Sequence, residues 1–138
     1  MLNIIQKELA LLTIDSTLAT LMNTTTPNKR IFTGAVDIVK ETQSTLGFPL
    51  LNIIAISESF RTVPEGARDS RIQIDIWSRN SELEVENIYE RIQTLLNFKS
   101  GDINSSHVFW QRSSGMSSDY ENDVRLWHYS TDFTIWSI

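Results

Sequence analysis

The feature that most constrains the fold of this chain is a stretch in which isoleucine alternates with polar residues. From Arg71 to Ser78 the sequence reads RIQIDIWS. Successive side chains of a β-strand point to opposite faces of its sheet, so a period of two predicts a strand with one buried face. The isoleucines form that face, and the other face carries Arg71, Gln73, Asp75 and Trp77.

A helix is predicted directly after this strand. Ser81 and Glu84 have the spacing of a capping box, in which the two side chains accept hydrogen bonds from free amides at a helix start. Behind them, apolar residues recur at spacings of one and three, which predicts an amphipathic helix over residues 82–97. Its early glutamates lie where the helix dipole is positive, so helix electrostatics explain them without a functional role.

The N-terminus predicts a second helix. An apolar stripe recurs there at helical spacing, formed by Leu2, Ile5, Leu9 and Leu12. Asp15 and Ser16 are both able to cap a further helical turn, so the pattern is consistent with a kink near Thr13. Pro27 cannot continue a helix, and we expect the helical region to end before it.

The remaining segments predict four further strands and three loops. Apolar runs or alternation indicate strands over residues 30–36, 50–57, 106–112 and 123–136. Residues 50–57 are almost continuously apolar, which predicts a central strand covered on both faces and paired antiparallel with residues 71–78. Polar stretches, each with Pro or Gly, predict a loop over residues 37–47, a hairpin tip over 58–70 and a loop over 113–122.

Length and composition indicate one globular domain, residues 1–138. The chain has 138 residues, no cysteine and a formal net charge of −5. The first 69 residues have a charge balance of −1 and the other 69 a balance of −4, so neither half has the basic surface that binds phosphate backbones. Without cysteine, disulfides and thiolate chemistry are excluded. The N-terminus has neither the basic start nor the unbroken apolar run of a signal peptide, and we expect a soluble intracellular protein.

The residue types needed for catalysis or metal binding form no recognisable motif. His107 and His128 both lie in predicted strands beside aromatic residues, which indicates strand positions rather than catalytic bases. The Gly-x-Ser-x-Gly pattern, the Walker loop and the dinucleotide fingerprint are absent. Asp119, Glu121 and Asp123 alternate but lack the register of a calcium loop. We therefore expect no catalytic residue, no metal site and no cofactor.

Trp77 has two interpretations. It lies on the polar side of its predicted strand, where an exposed aromatic side chain is typical of a protein interface. Alternatively, it packs beneath a helix.

Taken together, these segments resemble the tail-terminator (tail-completion) proteins of long-tailed bacteriophages. The resemblance spans nearly the whole chain. It is carried by the N-terminal helix, the Arg30-Ile31-Phe32 strand, the Phe48-Pro49 pair before an apolar strand, and above all the strand from Arg71 to Ser78 followed by the helix over 82–97. The two loops over 37–47 and 113–122 have no counterpart in it.

The resemblance implies an α+β fold, with a twisted, mostly antiparallel sheet on which the two helices pack. It further implies a structural virion protein that forms a hexameric ring with copies of itself. Such a ring caps the major tail tube protein, stops tube polymerisation and offers the surface for head-completion or connector proteins. DNA would pass through the lumen without specific binding, and no membrane is involved. The expected location is the head-proximal end of the tail, with assembly in the host cytoplasm.

On this basis we expect the projecting segments to contact the neighbouring copy or the tube. The candidate interface residues are Arg61, Thr62, Val63, Pro64, Glu65, Arg68, Trp77, Met116, Asp119 and Tyr120. Two alternatives stay open at this point. One is another head–tail connector subunit, and the other is a small enzyme or ligand-binding module with a pocket near Trp77 and Tyr129.

Overall fold

A computed structural model describes residues 2–22, 30–34, 48–60, 66–103 and 106–138. The helices within these ranges are α1 (Leu2–Thr13), α2 (Ser16–Leu21) and α3 (Glu82–Leu96). The strands are β1 (Ile31–Thr33), β2 (Leu50–Phe60), β3 (Arg68–Ser78), β4 (Gly101–Ile103), β5 (Ser106–Glu121) and β6 (Leu126–Ser137). The fold is α+β, as predicted.

One sheet contains all six strands, in the order β1-β2-β3-β6-β5-β4. β1 pairs with β2 in parallel, and the other neighbouring pairs are antiparallel. Ile5 of α1 and Ile88 of α3 belong to the same buried cluster as Ile72, Ile74 and Ile76 of β3. The described helices therefore cover one face of the sheet, called the helix side below. The opposite face, on which no described helix packs, is called the helix-free face.

The strongest strand prediction is confirmed. Ile72, Ile74 and Ile76 are completely buried on the helix side. In β6, the register places Phe133 opposite Ile72 and Tyr129 opposite Ile76, so the two strands contribute to the same core. Complete burial of one isoleucine side chain contributes roughly 1.5–3 kcal/mol, so this alternation supplies much of the force that holds α3 on the sheet.

The N-terminal helix is interrupted, as the capping residues predicted. α1 ends at Thr13 and α2 begins at Ser16, with Asp15 as its N-cap residue. The Asp15 carboxylate accepts a hydrogen bond from Leu18 N at 2.7 Å and two from Arg91 of α3, at 2.7 and 2.9 Å. The guanidinium lowers the pKa of Asp15, and this ion pair ties the short helix α2 to α3.

The start of α3 is fixed by a cap that differs in part from a capping box. Ser81 Oγ accepts a hydrogen bond from Glu84 N at 3.1 Å, as predicted. The Glu84 carboxylate accepts hydrogen bonds from Ser78 Oγ at 2.6 Å and Asn80 Nδ2 at 3.0 Å. It thereby links the helix start to the end of β3, which holds the preceding turn in place.

The prediction of a loop over residues 113–122 is wrong. β5 runs without interruption from Ser106 to Glu121 and pairs with β6 along its length, with register shifts after Val108 and Ser113. The polar residues that indicated a loop are strand residues whose inward-facing backbone groups pair with β6. The connecting turn is confined to residues 122–125, where Arg125 adopts a positive φ of 55°.

The hairpin tip predicted over residues 58–70 is shorter than expected. β2 continues to Phe60, and β3 already begins at Arg68. β2 is an inner strand paired antiparallel with β3, as predicted, but only its first part is covered on both faces. Residues 50–53 are buried and residues 55–57 are exposed. Residues 61–65 and the loop predicted over 37–47 lie outside the described residues.

Candidate interaction surfaces

A polar cluster occupies the centre of the helix-free face. Asp75 of β3 is paired with Ser130 of β6, and the next pair on the same face is Trp77 with His128. Asp75 is only 5% exposed, although it lies on the side of its strand that was predicted to face solvent. The alternation in the sequence thus identified the two faces of β3 correctly. It did not indicate that Asp75, on the polar face, is buried.

The donors around Asp75 keep its carboxyl group ionised. Its Oδ1 atom accepts hydrogen bonds from Gln73 Nε2 at 2.9 Å and from Ser130 Oγ, and His128 Nε2 lies 3.3 Å away. Burial alone raises the pKa of a carboxyl group, but these contacts outweigh burial and the pKa of Asp75 is lowered. A carboxyl held ionised in this way has no proton to donate at neutral pH, so it is not a general acid.

Trp77 lies on the helix-free face, where none of the described helices covers it. Its ring stacks on His128, with centroids 3.7 Å apart and planes 7° from parallel, and its Nε1 donates to Asn52 Oδ1 at 3.2 Å. The side chain is therefore half-buried by its own neighbours instead of standing free as an anchor. The predicted strand position of His128 is correct.

The pocket suggested near Trp77 and Tyr129 does not exist in this arrangement, because the sheet separates the two side chains. Tyr129 points to the helix side, where its hydroxyl donates to Glu82 Oε1 at 3.0 Å and lies 3.4 Å from Glu86 Oε2. Burial and these two carboxylates raise the pKa of Tyr129 to about 12. The tyrosine thus anchors the first turn of α3 to β6.

A second buried carboxyl group lies on the helix side. Glu8 of α1 is completely buried, and neither of its oxygens has a hydrogen-bond partner among the described residues. Burial raises the pKa of Glu8 to about 8. The sequence analysis missed this residue, although its spacing from Ile5 and Leu12 places it in the apolar stripe of the helix.

Among the described residues, the sheet has an open edge along the second half of β2. β1 is paired with β2 only as far as Ile53, whose carbonyl oxygen also accepts a hydrogen bond from Gly34 N. No described strand lies beyond β2 from residue 54 to residue 60. This segment, the β2 open edge, presents Ile56 and Phe60, which are 46% and 71% exposed.

The opposite side of the sheet has a second open edge, along β5. β4 pairs only with residues 106–108, and the chain around Asn97 covers the next stretch through hydrogen bonds to Gln111 O and Ser113 N. Within the described residues, none pairs with the outer side of residues 114–121. This β5 open edge presents Met116 and Tyr120, which are 43% and 38% exposed.

The candidate interface residues divide between these features. Met116, Asp119 and Tyr120 lie on the β5 open edge and are exposed, although on a strand rather than the predicted loop. Arg68 pairs with Phe60 and places its guanidinium 5.2 Å from that ring. The other members are Trp77, described above, and Arg61, Thr62, Val63, Pro64 and Glu65, which lie outside the described residues.

The described residues include no group of three His, Asp or Glu side chains able to hold a metal ion. Asp119 and Glu121 alternate on β5, and Asp123 lies in the turn that follows. Among the helices that the structure describes, none has the length and apolar character to cross a membrane.

Two comparisons with known proteins gave matches. The family model "Tail completion protein gp17" matches residues 9–137. Among solved structures, a chain from the virion of a native gene transfer agent particle aligns with a TM-score of 0.67 at 7% sequence identity, covering 94% of this chain and 90% of that chain. That likeness shows a shared fold. No match was found among curated proteins.

The family match spans nearly the whole chain, so the protein is a structural virion protein of the bacteriophage tail. It belongs to the tail completion protein gp17 family. The resemblance drawn from the strand at Arg71 to Ser78 and the helix that follows it is thereby confirmed, and a structural role in tail completion follows from the family.

Proposed function

We propose that this tail completion protein is a tail terminator that performs no reaction. In this role, copies of the chain form a ring, six by resemblance to other terminators, on the last layer of the tail tube. The ring ends polymerisation of the major tail tube protein and offers its far surface to a head-completion or connector protein. Its place is the head-proximal end of the tail, and it assembles in the host cytoplasm.

The observation that carries the proposal is that the described sheet has open edges on its two opposite sides. A subunit with two different, mutually accessible edges associates head to tail with its copies, and such heterologous contacts close into a ring when the rotation between copies allows it. A subunit with a single self-complementary surface instead forms a two-fold dimer, and no surface is left to bind further copies. The arrangement therefore suits a ring.

The charge of the chain suits a lumen through which DNA passes without binding. The net charge is −5, and the described residues of the helix-free face include Asp75 and Asp119, whereas Arg71 is neutralised by Asp132 at 2.6 Å. Acidic walls repel phosphates. The electrostatic potential of an assembled ring tests this assignment, and a strongly basic inner wall would contradict it.

The interface residues that we propose follow the two edges. Arg68 beside the β2 open edge, and Met116, Asp119 and Tyr120 on the β5 open edge, are accessible to a neighbouring copy. Residues 61–65 connect β2 to β3 and stay part of the proposed interface. Trp77 is no longer included, because its ring is covered by His128.

Deletion of the gene tests the terminator role through the length of the tails. Without a terminator, the tube continues to polymerise, and electron microscopy of the lysate shows overlong tails separate from filled heads. Expression of the chain from a plasmid restores the normal length. Tails of normal length in the deletion lysate would contradict the terminator role and would identify a head-side connector subunit instead.

A further inference from the structure

We propose that the ring closes by antiparallel strand pairing between the β2 open edge of one copy and the β5 open edge of the next. In the proposed register Phe60 lies opposite Met116 and Ile56 lies opposite Tyr120. This inference rests on the proposed ring, and it specifies which backbone segments and which side chains form the contact between copies.

The two open edges match in length, and each contains one register shift, at Ile56 in β2 and after Ser113 in β5. Residues 54–60 and 114–121 differ by one residue in length, and neither segment contains proline or lysine. Soluble proteins commonly protect long strand edges with these residues, because unpaired backbone groups are a template for another strand. β5 is open over about 25 Å at a rise of about 3.3 Å per residue. An edge of this kind in a monomer is unusual unless a further strand covers it.

The exposed apolar side chains select one register. Ile56 and Phe60 are four residues apart, and so are Met116 and Tyr120. In an antiparallel pair, the residue number rises on one strand as it falls on the other. One register therefore places both apolar pairs opposite each other, and directly opposite side chains contribute about 0.2–1 kcal/mol per pair.

Phe60, Met116 and Tyr120 also share a face, whereas Ile56 occupies the register shift of β2 between Ala55 and Ser57. Phe60 is paired with Arg68, Met116 with Thr131 and Tyr120 with Trp127, and all three pairs project to the helix side of the sheet. Across the joint, their contact would continue the layer of apolar side chains under the helices. The helix-free face would continue as a polar surface from one copy to the next.

The stagger that this register requires is compatible with a closed sheet. Within one copy, the cross-strand pairs Met116–Thr131, Thr131–Ile74 and Ile74–Ile53 place Met116 at the same height along the strands as Ile53. Phe60 lies further along β2. Successive copies are thus displaced along the strands by about 20 Å. Across the four strands from β2 to β5, about 19 Å wide, this displacement tilts the strands by about 45°, near the upper end of the range found in closed barrels.

Engineered disulfides test the register, because the chain has no cysteine of its own. Phe60 and Met116 of one copy lie on opposite edges of the sheet with β3 and β6 between them, too far apart for an internal disulfide. In Phe60→Cys/Met116→Cys, mild oxidation is expected to link neighbouring copies into a ladder of multimers on a non-reducing gel. Ile56→Cys/Tyr120→Cys should give the same ladder and serves as a second, independent pair.

A matched control uses the same two strands out of register. In Ile56→Cys/Met116→Cys the two cysteines are displaced by four residues, about 13 Å, and no ladder should form. Mixing single variants distinguishes head-to-tail from two-fold contacts. Phe60→Cys should link to Met116→Cys but not to itself, and a predominant Phe60→Cys homodimer would overturn the proposal.

The decisive arm uses oxidised virus particles that carry each double variant. The ladder in particles with tails of normal length supports the inference. If such particles contain the chain but neither in-register pair cross-links, the strand-pairing inference is overturned while the terminator role stands. If normal tails lack the chain altogether, the terminator role itself fails, and the inference with it. Circular dichroism melting of the reduced variants verifies their folding.

Discussion

The two sides of the sheet each bury a carboxyl group, and the two groups behave in opposite ways. On the helix side, Glu8 is surrounded by the apolar cluster, and burial raises its pKa to about 8. On the helix-free face, Asp75 is also buried, but hydrogen bonds from Gln73 and Ser130 and the nearby His128 lower its pKa. The difference teaches that partners, rather than burial, decide whether a buried carboxyl group is charged.

This contrast has a consequence for the pH dependence of stability. A carboxyl group with a raised pKa binds its proton more tightly in the folded state, so its stability contribution is complete below pH 4.5 and is lost as the pH rises toward 8. A group with a lowered pKa contributes above its ordinary value of 3.8 and loses that contribution as the pH falls. We therefore expect the chain to be most stable in mildly acidic solution.

The largest effect is expected from Glu8→Leu. Above pH 8 this variant removes a buried charge without a partner, and the free energy of unfolding should rise by about 3–5 kcal/mol, the equivalent of the displaced pKa. Urea unfolding between pH 5 and pH 9 measures this gain, which should shrink toward pH 5.

Glu8→Gln is the matched control, since it keeps the shape of the side chain but cannot ionise. Its stability should change less with pH than that of the natural chain. If natural and Glu8→Gln curves run parallel from pH 5 to pH 9, Glu8 does not carry the raised pKa.

A smaller effect, a loss of stability, is expected from Asp75→Asn on the helix-free face. The amide introduces donor hydrogens among the existing donors of Gln73 and Ser130, so the free energy of unfolding at pH 7 should fall by about 1–3 kcal/mol. As the pH falls through the lowered pKa of Asp75, the natural chain loses its carboxylate, and the difference between the two proteins should narrow.

Ser130→Ala provides a control for Asp75, because it removes one donor and leaves the carboxylate in place. It should be less destabilising than Asp75→Asn and should shift the acid limb of the stability curve to higher pH. An Asp75→Asn variant as stable as the natural chain at pH 7 would remove the contrast between the two faces.

The smallest effect concerns the ion pair between Arg71 and Asp132, which lies on the same face but is accessible to solvent. Its atoms are 2.6 Å apart, and the side chains are 50% and 27% exposed. A double-mutant cycle with Arg71→Ala and Asp132→Ala should give a coupling energy below about 1 kcal/mol, reduced further in 1 M salt. A coupling energy as large as the effect of Asp75→Asn would show that the solvent exposure of the Arg71–Asp132 pair does not make it weaker than the buried contacts of Asp75.

Strands and helices with a strong period were predictable from the sequence. The cap at Ser81 and the apolar spacing gave α3 to within one residue, and the alternation through Ile72, Ile74 and Ile76 gave β3 except for its first three residues, because one buried face imposes its period directly on the sequence. The break between α1 and α2 followed from Asp15, whose side chain accepts the amide hydrogen bonds at a helix start. Both the periodicity and the cap residues depend only on residues close together in the sequence.

The open edges were not predictable in the same way. Residues 113–121 are mostly small and polar, so no buried face marks them as a strand. They are extended because β6 lies beside them and pairs with their inward-facing backbone groups. Met116 and Tyr120 were identified as candidate interface residues, but their place on a strand edge depends on pairing with Thr131 and Trp127.

The amino-acid sequence by itself determined the fold class, the positions of β3 and α3 and the family, since each depends on periodicity or on the order of local elements. Only the tertiary structure decided which polar side chains are buried, which carboxyl groups keep a proton and where the sheet lacks a neighbour. The physical reason is that burial, hydrogen-bond partners and strand pairing are set by residues far apart in the chain. Asp75 and Ser130, separated by 55 positions, meet only because β3 and β6 pair.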